Sequence, residues 1–192
     1  RFYTPVLLSI EDNPPEMAVF VSNDLLTTWK GKVNWSLETF DGEVLRSGIT
    51  PVDASPQSAI QVCKLDFSDQ VNDDNLRKVI FVAELMQGDQ LVSCQVAAFA
   101  PIKHLELKNP TILVDMDYKA GQMSVDVESD TLALLVELSL SGAEVIFSDN
   151  YFNLPAGRTV SISCPLPEGW SLERVQQRLQ LRSVYGSYAH GE

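Results

Sequence analysis

Acyl hydrolysis by a serine-type site needs a nucleophile, a histidine to take its proton and a carboxylate to orient that histidine. Only His104 and His190 are available here. His104 is placed in an interdomain strand, and His190 in the C-terminal tail. Neither has a Gly-x-Ser-x-Gly elbow beside it, so no catalytic histidine is expected. Zinc requires clustered His and Cys ligands, whereas Cys63, Cys94 and Cys164 stand far apart with no Cys-x-x-Cys pair. A glycine-rich phosphate loop is also missing. The acidic run from Asp66 to Asp74 resembles a calcium loop in composition only. An EF-hand wants glycine at its sixth position and glutamate at its twelfth, and those positions hold Val71 and Arg77. Asp69, Asp73 and Asp74 are therefore expected in a solvated loop. Glycosidases place two carboxylates on either side of the scissile bond in a cleft. Glu38, Asp115, Asp117, Glu128 and Glu137 instead fall on the outward phase of strand-like segments, as sheet-surface charge does. The reading is of no catalytic residue, no metal ligand and no cofactor.

Aromatic side chains are the remaining groups with binding chemistry, because an exposed ring on a β-sandwich can stack on a sugar face. Tyr3, Trp29, Tyr151 and Trp170 are the candidates, with Trp29, Tyr151 and Trp170 carried as possible ligand-binding residues. Leu25-Leu26-Thr27-Thr28-Trp29 reads as a loop bearing large apolar side chains, a composition that favours an interface with a neighbouring domain over a sugar platform.

The elements that must carry these residues are strands. Tyr3 to Ile10 reads as the first, ended by Asn13-Pro14-Pro15, and Met17 to Ser22 as the second. In Lys32 to Phe40, Val33, Trp35, Leu37 and Thr39 alternate with Asn34, Ser36 and Glu38. Trp35 is placed as the core tryptophan packed against the opposite sheet. Asp41-Gly42 supplies a hairpin turn into Glu43 to Ile49. Ser58 to Phe67 follows, and Lys78 to Met86 pairs through Gly88-Asp89 with Leu91 to Phe99. Ala100-Pro101-Ile102-Lys103 reads as a boundary, since Pro101 has no ladder donor. A second series then runs Thr111 to Tyr118, Met123 to Ser129, Leu132 to Ser139, Glu144 to Phe147, Thr159 to Cys164 and Arg178 to Tyr185. Leu172, Val175 and Leu179 share one helical face, with Ser171 as N-cap, so one short helix is expected there, across an end of the second sandwich. The expected fold is all-β: two tandem immunoglobulin-like antiparallel sandwiches over residues 1–102 and 103–192.

Composition agrees with that size. The 192 residues are 45% hydrophobic and 21% charged, enough for two packed cores of about 90–100 residues each. Lys plus Arg is 14 and Asp plus Glu is 26, a formal net charge of −12. Such a surface repels phosphate backbones and anionic lipid, so neither nucleic acid nor membrane is expected as a partner. Each cysteine sits in phase with apolar neighbours, which points to buried free thiols; a Cys63–Cys94 bridge within the first domain stays open as the alternative. The chain opens directly on strand-like sequence, as a segment of a longer polypeptide would.

One stretch is more specific. Phe147-Ser148-Asp149-Asn150-Tyr151-Phe152-Asn153-Leu154-Pro155-Ala156-Gly157, followed by a Thr/Val strand, resembles the last domain of family-two β-mannosidases and the related exo-β-glucosaminidases. Arg1-Phe2-Tyr3-Thr4-Pro5-Val6-Leu7-Leu8-Ser9 is similar to the strand leaving their catalytic barrel. Asn23-Asp24, Val33-Asn34-Trp35-Ser36-Leu37 and Asp41-Gly42 are similar to their penultimate sandwich, and Pro101 to Leu107 to the linker after it. The resemblance implies a parent enzyme that removes terminal β-mannose with retention, through two glutamates on an upstream barrel. None of those residues maps onto this sequence. It implies for this chain a non-catalytic accessory role, with the catalytic barrel as partner and oligosaccharide as a further one. A carbohydrate-binding module and an immunoglobulin-type protein-interaction pair are the alternatives. In the motif itself, Asp149 and Asn150 are expected to bond nearby backbone, Tyr151, Phe152 and Leu154 to plug the sandwich end, and Gly157 to permit the next turn.

Overall fold

A computed structural model of the chain describes residues 4–119 and 121–189. Tyr3, the Arg1-Phe2 start and His190 lie outside the described residues. Two compact units divide between Glu106 and Leu107. The linker stays with the first unit because the Glu106 N–H donates to the Arg77 carbonyl (3.0 Å) and its carboxylate pairs with Lys78 at 3.5 Å.

The first unit is a seven-stranded antiparallel sandwich. Strands β1 (Val6–Asn13), β2 (Glu16–Asn23) and β5 (Ser58–Asp66) form one sheet in the order β1-β2-β5. Strands β3 (Trp29–Thr39), β4 (Val44–Ala54), β6 (Val79–Gln87) and β7 (Gln90–Ala98) form the other, in the order β4-β3-β6-β7. Alternation turns Val6 and Leu8, then Met17, Val19 and Val21, toward Val33, Leu37, Phe81 and Leu85. Phe67 sits fully buried in that core, edge-on to Phe99 and Trp35 and tilted against Phe81.

Of the two tryptophans of β3, Trp29 is the more deeply buried, and Trp35 packs on the core only in part. Trp29 is not in a loop: it opens β3, is only 5% exposed, and belongs to the core. Trp35 is half-buried, packed at the margin of the core. Glycines set both rings. A Cβ on Gly31 would come within 2.3 Å of the Trp29 ring, and one on Gly48, the cross-strand partner of Trp35, within 2.3 Å of the Trp35 ring. Each ring occupies the space that a side chain at the glycine would need. For Trp35 this draws the ring toward the edge strand β4, under the guanidinium of Arg46, 5.7 Å from the ring centroid.

Glu38 also departs from the reading. It lies on the outward phase of β3 but is fully buried, and it accepts a short hydrogen bond from Ser36 Oγ. Ser36, Ile80 and Val82, on the same outward phase, are buried as well. The central strands of this sheet are therefore enclosed on both faces, as the unbroken apolar run Val79-Ile80-Phe81-Val82-Ala83 requires.

The second unit packs the sheet β12-β9-β8 against β11-β10-β13. Its strands are β8 (Ile112–Lys119), β9 (Gln122–Ser129), β10 (Ala133–Leu140), β11 (Phe152–Leu154), β12 (Thr159–Pro165) and β13 (Leu179–Arg182). Met123, Val125, Val127, Val136, Leu138, Leu154, Ile162 and Cys164 make the core. The helix α1 (Leu172–Arg178) is capped as read, Ser171 Oγ accepting from the Arg174 N–H, and it buries Val175. The segment expected as one last strand is two elements, β13 and a second short helix α2 (Val184–Ala189). Glu144 to Phe147 forms no strand. Val145 and Phe147 still pack on the core, and only Ser148 joins β12, through its N–H to the Ser163 carbonyl (2.7 Å) and its Oγ from the Ser163 N–H (2.8 Å).

β8 is an edge strand guarded by its own carboxylates. The pairing of Lys119 with Gln122 across the hairpin leaves the N–H groups of Met116 and Tyr118 on the free side. Asp115 and Asp117 accept from them at 3.0 and 2.8 Å, which occupies donors a foreign strand would use.

Candidate functional site

The motif from Phe147 to Gly157 supplies the second sandwich with most of an edge strand made from side chains. The Leu138 N–H donates to Asn150 Oδ1 (2.8 Å), and Asn150 Nδ2 returns a bond to the Leu138 carbonyl (2.9 Å). The amide thus stands in for a strand residue beside β10. Three residues on, the Leu135 N–H donates to Asn153 Oδ1 (3.0 Å). Between these points the β10–β11 register slips, and Leu135 (φ 49°) and Tyr151 (φ 58°) take left-handed conformations. For residues with bulky side chains such conformations cost energy, and they persist only where surrounding bonds over-determine them. The Asn150 and Asn153 amides are those bonds.

Asp149 and Asn150 bond local backbone as expected, accepting from the Asn150 and Tyr151 N–H groups. Leu154 is buried and Phe152 packs on the core. Gly157 turns with φ +67°. Tyr151, by contrast, plugs nothing: it is 60% exposed, and its hydroxyl donates to Glu137 Oε1 at 3.0 Å. That hydrogen bond and the carboxylate charge push its phenol above the usual tyrosine range.

The other expected ligand-binding aromatics fare differently. The Trp29 ring is closed off in the first core. Trp170 is half-buried against the second core and has Arg174 stacked 4.2 Å from its centroid, which occupies one face. Trp170 and Tyr151 are held by separate local contacts, one beside α1 and the other beside Glu137 on β10.

Residues with acid–base or redox chemistry do not converge. His104 ends a 3₁₀ turn, Ile102–His104, and is exposed; it is not in a strand. Asp69, Asp73 and Asp74 lie exposed on the turn after β5, and Asp66 accepts from the Ser68 N–H, which lowers its pKa. Among the described residues no group of three or more His, Cys, Asp or Glu is placed to hold a metal ion. Asp115, Asp117 and Glu128 are exposed as expected, and Glu137 is half-exposed. All three cysteines are free, with Cys63 and Cys94 on opposite sheets. Burial raises the thiol pKa of Cys63 and of Cys164, which keeps both protonated and weakly nucleophilic near neutrality.

Residues that sequence reasoning passed over are structural clamps. Asn23 is fully buried; its Nδ2 meets the carbonyls of Thr27, Ala54 and Ser55 at 2.9–3.0 Å, and its Oδ1 accepts from the Leu25 N–H. Arg46 donates to the Asp66 carbonyl (2.8 Å) and to Gln70 Oε1 while lying 5.3 Å from the Phe67 ring centroid. Asn23 ahead of a turn is the one legible signal, because Asx side chains favour such bonds.

Residues 16–104 match the model of the Mannosidase Ig/CBM-like domain, and residues 107–187 that of the Ig-fold domain of mannosidases. The chain is a tandem of mannosidase-type Ig domains. No curated protein sequence is significantly similar to the tandem. Among solved structures it is similar to the β-D-mannosidase of Dictyoglomus thermophilum, with a TM-score of 0.82 and 24% identity over 94% of this chain and 22% of that one. It is also similar to the exo-chitosanase of Amycolatopsis orientalis, with a TM-score of 0.65 and 12% identity over 92% of this chain and 25% of that one. The tandem therefore spans about a quarter or less of the structures it matches. At those identities the likeness carries the fold, two consecutive Ig-like sandwiches, and nothing finer.

Proposed function

We propose that the tandem is the non-catalytic accessory pair of a glycoside hydrolase, buttressing a catalytic barrel that removes terminal β-mannose with retention. The observation that carries this reading is the order of the two family matches, a Mannosidase Ig/CBM-like domain followed at once by an Ig-fold domain. The neighbours support it, since both carry their matching domains within longer glycosidase chains. The chemistry is consistent: the side-chain amides of Asn23 and Asn150 hold loops to strands.

The test is the parent enzyme with and without this segment. The buttress reading expects the truncated enzyme to lose soluble yield and to melt at lower temperature. Unchanged yield, melting temperature and turnover of a chromogenic β-mannoside would overturn it. A carbohydrate-binding role is the second reading, and the open ring of Tyr151 is the observation that favours it.

A further inference from the structure

The outer face of the sheet β1-β2-β5 carries a depression that none of the readings above uses. Its strands send Val6, Leu8, Met17, Val19 and Val21 into the core, so the opposite phase points outward. On that phase Ala18 sits in the central strand, directly between Glu11 of β1 and Lys64 of β5. Glu16 and Phe20 are its neighbours along β2, two residues either way.

A bulge completes the arrangement. The β2–β5 register shifts between Val19 and Phe20, so that Val19 pairs with Cys63 and Phe20 with Gln61. The extra residue of β5 brings Gln61 and Lys64, three apart, to the same face. Val62 and Cys63 between them pack toward the core.

A short side chain ringed by long ones leaves a shallow cavity of about 140 Å³, lined by Glu11, Asn13, Glu16, Ala18, Gln61 and Lys64. The rim offers acceptors from Glu11 and Glu16, a donor from Lys64, and both from Asn13 and Gln61. Lys64 Nζ and Glu16 Oε2 form an ion pair at 3.0 Å, and each keeps further donor or acceptor capacity for a hydroxyl. Ala18, 7% exposed, forms the floor of the depression.

These groups select a class of ligand. Two carboxylates against one ammonium, on a chain of net charge −12, disfavour an anion. A polar rim desolvated by an apolar ligand would lose its hydrogen bonds to water without replacement. A neutral polyol satisfies acceptors and donors together, with Ala18 as the floor beneath its ring. We propose that this depression is a carbohydrate contact site that seats one pyranose ring over Ala18. The site lies in the first domain and is independent of Tyr151 and of the buttress role.

The test is an amide-resolved NMR titration of the 192-residue chain with β-1,4-mannobiose and, separately, cellobiose. An open site this shallow is expected to saturate in the millimolar range (about 4 kcal/mol), with shifts centred on Glu11, Ala18, Gln61 and Lys64. Ala18→Leu fills the depression without touching the inner face and should weaken binding about tenfold or more. Gln61→Ala removes one rim group and should weaken it several-fold, which keeps the test intact if the leucine variant folds poorly. Absence of shifts with either sugar, or shifts confined to the surroundings of Tyr151 or Trp170, would overturn the proposal. Undiminished binding by both variants would overturn it as well.

Discussion

Phe67→Ala is expected to remove about 3–5 kcal/mol from the stability of the first sandwich, as the loss of a fully buried phenylalanine does. Phe67 is the residue at which several supports meet. Its ring centroid lies 5.5 Å from that of Phe81, 5.8 Å from Phe99 and 6.4 Å from Trp35. Arg46 lies over it while donating to the Asp66 carbonyl, so the ring also anchors the acidic turn to β4. Its own N–H donates to the Pro15 carbonyl, and its carbonyl accepts from Gln70 and Val71. Alanine keeps those backbone bonds and leaves a cavity among three aromatic rings. At about 4–8 °C per kcal/mol for a unit of this size, calorimetry should show one transition falling by roughly 15 °C or more while the other stays in place. A fall of only a degree or two would mean that the core lies elsewhere.

Asn150→Ala is expected to cost the second sandwich about 2–4 kcal/mol. Leu138 is a buried core residue whose N–H and carbonyl both pair with the Asn150 side chain. Alanine leaves both partly buried groups without that partner, and each such group costs about 1–3 kcal/mol. It also releases the Tyr151 N–H from Asn150 Oδ1 and with it the left-handed conformation of Tyr151. Asn150→Asp keeps the acceptor and loses the donor, so it should fall between alanine and the native residue. Melting of the second unit and faster hydrogen exchange at Leu138 measure the effect; native protection at Leu138 in the alanine variant would refute the strand-mimic account.

The sandwich architecture was legible because alternation and turn residues recur over most of the strands. The motif around Asn150 was legible in kind, as Asx side chains bonding local backbone, but not in reach. Which backbone it would pair with depends on β10, which lies twelve residues earlier in the chain. Trp29 was misplaced because the third strand was begun at Lys32; carrying the odd-numbered alternation back through Gly31 would have put it in the core. Glu38 was misread because strand phase says which face a residue takes, not whether that face is wet. The continuous apolar run of β6 was the available warning. Glu144 to Phe147 alternates correctly and packs correctly, but a ladder needs a partner strand in register, and Ser148 is the residue that finds one. The helix α2 carries Val184, Tyr185 and Gly186, residues of modest or poor helix propensity, so nothing local announced it.

The sugar-binding readings divide on the same physical ground. Trp29 is enclosed and Trp170 has a face taken by Arg174, which leaves Tyr151 and the depression over Ala18 as the open surfaces with matching chemistry.

The most direct measurement on the central claim is hydrogen exchange of this tandem inside the intact parent enzyme, compared with the 192-residue chain alone. Buttressing predicts a contiguous set of tandem surface amides that exchange about tenfold or more slowly in the parent, because another domain covers them. Identical exchange profiles in the two settings would show two sandwiches that ride beside the barrel without supporting it, and would contradict the account.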